Sequence, residues 1–347
     1  MTESVASTAK GRAVLRWLFA AAFVFALAAS GLFAGLLNRA GLFYLVFGTV
    51  AAALMGFTGR EIATAIRLAA GRSGNDGSLA RSAYFWGAAA RNAWMLGALG
   101  SALNFTIALS RISGGIMDIS NRMIQSFIVI LYGLVLAVVC LVPALKLSGQ
   151  AERARWRGED GPAPEAGYGS KAAVRTIAPD RIIGYVLFAA VLVLTVVFLI
   201  KGQPPAGPFS IAKLLFQGPA YLVVIGGTIA LALFMGAGTG APAWTLGFAM
   251  TGIISLLMGL IQALFGFVHR DIAELSSAVA FIISASMLTL LGLVAVAAPL
   301  EDREVMDGRR DGAGTFSRMF WVLLPLLTFV FLILTFIMVV TPMTKPG

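Results

Sequence analysis

The chain has 347 residues, 59% of them hydrophobic and 12% charged, with a mean hydropathy of +0.89. So little charge excludes an ordinary soluble domain, in which roughly a quarter of the residues are charged. The net charge of +10 does not imply nucleic acid, because much of it sits beside apolar runs, as at Arg153, Arg155 and Arg157, where the anionic headgroups of a lipid bilayer are the natural partner.

Nine apolar stretches, 17–37, 41–57, 93–109, 123–145, 182–200, 214–235, 243–268, 275–300 and 319–340, are read as membrane spans. A hydrocarbon core of about 30 Å takes roughly 20 helical residues. The runs are continuous rather than alternating, which predicts an all-α polytopic membrane helix bundle and not a barrel. The first stretch follows Lys10 and Arg12 and contains "ALAAS", but its apolar run exceeds the roughly 7 to 15 residues of a signal peptide, so it is read as a helix.

After the second stretch comes a cytoplasmic segment, 58–92, in which "REIATAIRLAAGR" is expected to continue the helix as a basic extension ending at Gly71 and "GNDG" to form a turn. The single cysteine, Cys140, lies in the fourth stretch, excludes an intrachain disulfide and is assigned to packing. Residues 148–181, with "GEDGPAPEAGYGS", read as a flexible cytoplasmic linker. Residues 301–318, "EDREVMDGRRDGAGTFSR", are expected to return the chain to water before the ninth helix and its periplasmic tail, 319–347. With the N-terminus in the cytoplasm, 19 of the 26 Lys and Arg lie on the cytoplasmic side and 7 on the other, the asymmetry that the positive-inside rule favours. An odd number of spans then puts the C-terminus outside.

Three anchors recur in the same order: "LFAAAFVFAL" from Leu18 and "LFAAVLVLTV" from Leu187; "YLVFGTVAAALMG" from Tyr44 and "YLVVIGGTIALALFMG" from Tyr221; "AWMLGALGS" from Ala93 and "AWTLGFAMT" from Ala243. The fourth helices end in "YGLVLAVVCLVP" and "LGLVAVAAP". Order and matching topology point to a tandem duplication, with four-helix copies at 1–147 and 182–300. Four helices is an even number, so the copies form a parallel repeat, to which one C-terminal helix is added.

"PAYLVVIGGTIALALFMG", "AWMLGALGSALNF" and "ILYGLVLAVVCLVP" resemble the second, third and fourth helices of the MotA/TolQ/ExbB proton-channel family. The resemblance covers roughly 14–147 and 182–300, so the chain reads as two fused MotA-like four-helix units. It implies a bacterial inner-membrane stator subunit, a homo-oligomer such as the family's pentamer. Such a subunit assembles around a single-span MotB/TolR/ExbD-like partner and couples proton or sodium flow to mechanical work. The partner brings the titrating acid, and no predicted span here has a charged residue at its middle.

By the same resemblance, Ser101 and Thr251 occupy the third-helix threonine position on the ion path. The fourth-helix threonine pair becomes Val129 and Ile130 in one copy and Leu288 and Thr289 in the other, while its proline is retained as Pro143 and matched by Pro299. Ser284 and Thr289, about one turn apart, complete the candidate ion-path or partner-helix residues. Gly97 and Gly247, each four residues before a small hydroxyl residue, are read as helix-packing positions. Asn104, Gln125, Ser126, Gln262 and Ser286 are assigned to hydrogen bonds between helices.

His269, Arg270, Asp271 and Glu274 read as a solvated loop. No metal-ligand spacing, phosphate loop or nucleophile with a base occurs, so neither a conventional enzyme nor a cofactor or metal is expected. The first copy's lost threonines keep open a second role, a non-conducting membrane scaffold. A small-molecule secondary transporter is a more distant alternative, for which intramembrane charge and discontinuous helices are lacking.

Overall fold

Where an apolar run carries no unpaired polar backbone, a helix is the one local structure that closes every hydrogen bond within the segment. Among the described residues the chain is helical almost throughout and contains no strand. The computed structural model describes residues 39–72, 74, 76–110, 116–156, 179–200, 217–234, 241–269 and 272–307. The first and ninth predicted spans, most of the 148–181 linker and the C-terminal tail lie outside them. The described residues from Ala40 onward form one unit.

In chain order the helices are α1 (Arg39–Gly56), α2 (Gly59–Ala69), α3 (Asp76–Ser110), α4 (Ile116–Trp156) and α5 (Pro179–Ile200). Next come α6 (Gly218–Tyr221 and Gly227–Phe234, joined by a π turn at Leu222–Gly226), α7 (Ala241–His269) and α8 (Ile272–Gly292). A second π turn, Leu293–Ala297, leads into α9 (Ala298–Met306). Four helical segments are long and apolar enough to cross a membrane, Gln125–Ala151, Pro179–Val197, Ala243–Ala263 and Ser277–Met306, and a fifth is added if the bent pair Ala40–Gly56 and Gly59–Ala69 counts as one. The helices are those of a membrane-embedded bundle, with four to five such segments described where nine spans were expected.

Several expected boundaries move. "REIATAIRLAAGR" does not continue the second span: the chain breaks at Phe57 and Thr58, and α2 leaves at 117° to α1. Thr58 adopts an extended backbone and forms a capping box with Glu61, which starts a new helix. The segment does stop at Gly71, whose φ of 99° suits glycine.

"GNDG" is not wholly a turn, because α3 begins at Asp76 and runs unbroken into the third span. Likewise α4 passes the expected linker start and reaches Trp156. At the other end of the sequence, the chain does not return to water at Glu301: the helix continues to Met306, and Glu301 and Asp302 are buried. Pro299 sits in the first turn of α9, directly after the π turn. A longer hydrogen-bond register there accommodates a ring that would clash with the carbonyl four residues back.

Two helices are enclosed. Every residue of α3 from Met95 to Thr106 is buried, as is every residue of α8 from Ala278 to Ser286. α3 packs against both α4 and α8. Small residues let these helices approach closely: a Cβ on Gly97 would meet Gly133 Cα at 2.9 Å, and one on Gly133 would meet Gly97 Cα at 2.8 Å. Cys140 is buried beside this crossing with Ala89, Ala90, Ala93 and Ala137. The outer helices carry the opposite pattern. Along α4, Phe127, Leu131, Leu134, Val138, Val142 and Leu145 are exposed, an apolar stripe that lipid covers favourably.

Candidate functional site

Two of the four candidate hydroxyls, Thr251 and Thr289, fall into a seam between α6, α7 and α8. Thr251 lies one turn after Gly247, and its hydroxyl donates back to the Gly247 carbonyl at 2.8 Å. Facing it, the Thr228 hydroxyl donates to the Val224 carbonyl at 2.5 Å, and the two hydroxyl oxygens are 3.0 Å apart. Val224 belongs to the π turn, whose altered register leaves carbonyls for side chains to use. Glycines make room reciprocally: Gly227 lies under the Thr251 methyl and Gly247 under the Thr228 methyl.

Thr289 approaches the same helix from α8, over Gly252. It is fully buried, and its hydroxyl has no hydrogen-bond partner among the described residues. Ser284 is buried further along α8, and Ser101 is buried in the enclosed α3.

All four candidate residues are thus inside the chain, at 1% exposure for Ser284, 3% for Ser101, 4% for Thr251 and 0% for Thr289. The physical reason is that this part of α3 and of α8 is enclosed, and that Thr251 lies on the face of α7 turned toward α6. Within the single chain these hydroxyls face the chain's own helices.

The two "AWxLG" segments also differ in surroundings. Gly97 packs on Gly133 of α4, whereas Gly247 packs on Thr228 of α6. Pro143 lies within α4, half-buried, without ending the helix. Asn104 donates to the Gly100 carbonyl and Ser286 to that of Ile282, each within its own helix. Gln262 is exposed.

A second site was not anticipated. Arg91, at the start of the apolar part of α3, donates from one guanidinium nitrogen to both oxygens of Asp302, at 2.8 and 2.9 Å. The Tyr84 hydroxyl donates to Asp302 at 3.0 Å. The carboxylate is fully buried and rests directly on Gly56 at the end of α1, where a Cβ would come within 2.7 Å of its oxygen. Burial works against the charge on Arg91, but Asp302, Tyr84 and Glu301 together outweigh it and hold the guanidinium above its ordinary range. Burial, reinforced by the nearby Asp302 charge, pushes the Tyr84 phenol up, so it stays a neutral donor.

Around this pair Phe57, Phe85 and Met306 form a small apolar cluster, with Phe57 and Phe85 edge to face at 5.0 Å. Trp86 donates to the Ala65 carbonyl at 3.2 Å and fixes α2 against α3. The result is a closed ion pair that joins three helices far apart in sequence. A charged residue next to an apolar stretch at both Arg91 and Asp302, with an aromatic hydroxyl two turns earlier on the same face of α3, was the available signal.

Among the described residues no three His, Cys, Asp or Glu side chains converge as a metal site would require. Comparisons with protein families, with curated proteins and with solved structures find no match for the chain.

Proposed function

We propose that the chain is a stator-like subunit of a bacterial inner membrane, composed of two fused MotA-like four-helix units and a ninth helix. It assembles as a homo-oligomer around a single-span MotB/TolR/ExbD-like partner and couples proton or sodium flow to force. The observation that carries this reading is the pair of long helices α3 and α4. Their 35 and 41 residues correspond to about 52 and 62 Å, against a hydrocarbon core of about 30 Å. They are longer than the bilayer core, and with the apolar stretches 93–109 and 123–145 inside it, most of the surplus falls at the end where Arg91 and Asp302 join α3 to α9. A stiff hairpin braced at the membrane border suits transmission of force between a membrane part and a part outside it. In this reading the chain is the frame and the partner supplies the acid.

A second reading, a non-conducting scaffold, is favoured by the enclosure of Ser101, Thr251, Ser284 and Thr289. One experiment separates the two. The chain is purified from native membranes with whatever single-span protein accompanies it, and proton or sodium flux is measured in liposomes. The stator reading expects flux that requires the partner's membrane carboxylate. No flux with the partner bound selects the scaffold. Recovery of the chain with no single-span protein overturns both. Loss of flux in Thr289→Val places the ion route inside the chain, along the α7–α8 seam.

A further inference from the structure

Helix α2 carries charge that neither the hydroxyl seam nor the ion pair uses, and both of its ends are fastened where exposed apolar surface gives way to charge. On α4 the exposed stripe ends at Leu145, and the next residue, Lys146, donates to the Ala69 carbonyl at 3.2 Å. On α5 the exposed stripe begins at Ile182, just after Asp180, which accepts from the Gly59 N–H at 3.0 Å. A helix tied at both ends to that border lies at headgroup level, and its 117° departure from α1 agrees.

Its faces are sharply divided. Ala65 and Leu68 are buried, whereas Arg60, Ile66 and Arg67 are exposed. Arg60 and Arg67 are seven residues apart, so they share one face at about 10 Å separation. The carboxylates that would neutralise them are engaged with backbone: Glu61 accepts from the Thr58 N–H at 2.7 Å and Asp180 from Gly59. Among the described residues neither guanidinium pairs with a carboxylate. An exposed isoleucine beside two unpaired guanidinium forks is the chemistry of a helix that lies in an anionic lipid surface, and the guanidinium fork matches phosphate oxygens.

We propose that α2 is an interfacial helix that binds the phosphate groups of anionic lipids through Arg60 and Arg67, with Ile66 inserted among the acyl chains. The proposal requires only a bilayer and stands apart from the stator reading.

The test uses the full chain in neutral detergent with phosphatidylglycerol or phosphatidylcholine added, and counts retained lipid by native mass spectrometry. The expected result is several-fold more phosphatidylglycerol retained, a preference lost in Arg60→Gln/Arg67→Gln and kept in Arg60→Lys/Arg67→Lys and in Arg81→Gln, an exposed arginine on α3. Equal retention of the two lipids, or a preference unchanged in the double glutamine variant, overturns the proposal. So does equal protection of the wild-type chain against heat by soluble glycerol phosphate, which would make this a free-phosphate site. Where the double variant does not fold, single Arg67→Gln with a reduced preference supports the proposal, and with an unreduced one overturns it.

Discussion

Removing Arg91 tests whether the ion pair holds the bundle together. In Arg91→Ala, Asp302 keeps its position at 0% exposure but loses both short contacts to the guanidinium. Stranding a buried charge costs about 3–5 kcal/mol, or roughly a hundredfold to several thousandfold in the folding equilibrium. Tyr84 still donates one hydrogen bond at 3.0 Å, which sets the expectation at the lower end of that range. Asp302→Leu takes away the guanidinium's carboxylate in turn and carries a similar cost. Removing both charges in Arg91→Met/Asp302→Leu leaves neither member of the pair to desolvate, so the double variant is expected within about 1–2 kcal/mol of the original chain. The assay is equilibrium unfolding in mixed micelles followed by tryptophan fluorescence, with all four chains treated as a double-mutant cycle. Single costs below about 1 kcal/mol, or costs that simply add in the double variant, would refute the view that Arg91 and Asp302 act as one buried unit.

Two further predictions use the same unfolding measurement. Gly97→Ala is expected to destabilise by about 1–3 kcal/mol, because its Cβ would meet the Gly133 backbone at 2.9 Å; Gly77→Ala has nothing within 4 Å and is expected to stabilise by up to about 1 kcal/mol. The reverse order would contradict the α3–α4 crossing. Thr58→Ala removes the capping box of α2 at about 0.5–2 kcal/mol, and hydrogen exchange should quicken at Glu61 and Ile62 while global unfolding shifts less than in Arg91→Ala. A fall in global stability as large as that of Arg91→Ala would show that α2 is not a separately capped helix.

The parts of this fold that were legible in the sequence are those decided by local composition. The stretch read as 243–268 is α7, Ala241–His269, because an uninterrupted apolar run needs no distant residue to make it helical. The first sixteen residues of α3 were not legible. "GNDG", Arg81 and Arg91 have the composition of a solvated loop, and only contacts such as Trp86 to Ala65 and Arg91 to Asp302 show why the helix starts at Asp76. The stretch beginning at Glu301 misled for the same reason. Its acids look like a return to water, and the partner that makes burial tolerable is 211 residues away.

The hydroxyls show a different limit. Helical periodicity places Ser101 and Thr251 on a face but does not say what that face meets. Gly97, Ala98, Gly100, Ser101 and Ala102 put small residues on several sides of α3, which is the composition of a helix surrounded by other helices. A sequence reading that weighs all faces rather than one would have placed Ser101 inside.

Apolar burial cannot by itself choose which helices pair in a bilayer, because lipid tails are as apolar as leucine side chains. Pairing then falls to shape and to polar contacts, and around α3 and α9 the two are divided, although Thr228 and Thr251 also join the neighbours α6 and α7 through hydroxyls 3.0 Å apart. Shape joins sequence neighbours: Gly97 with Gly133 at the α3–α4 crossing, and Gly252 with Thr289 at the α7–α8 crossing. Polar contacts join distant elements: Asp302 of α9 with Arg91 and Tyr84 of α3, and Asp180 of α5 with Gly59 of α2. The division has a consequence for any variant series. Glycine substitutions should loosen a hairpin while the distant contacts persist, whereas charge substitutions should separate α3 from α9 while both hairpins remain. A crosslink between α3 and α4 would then survive Arg91→Ala, and one between α3 and α9 would not.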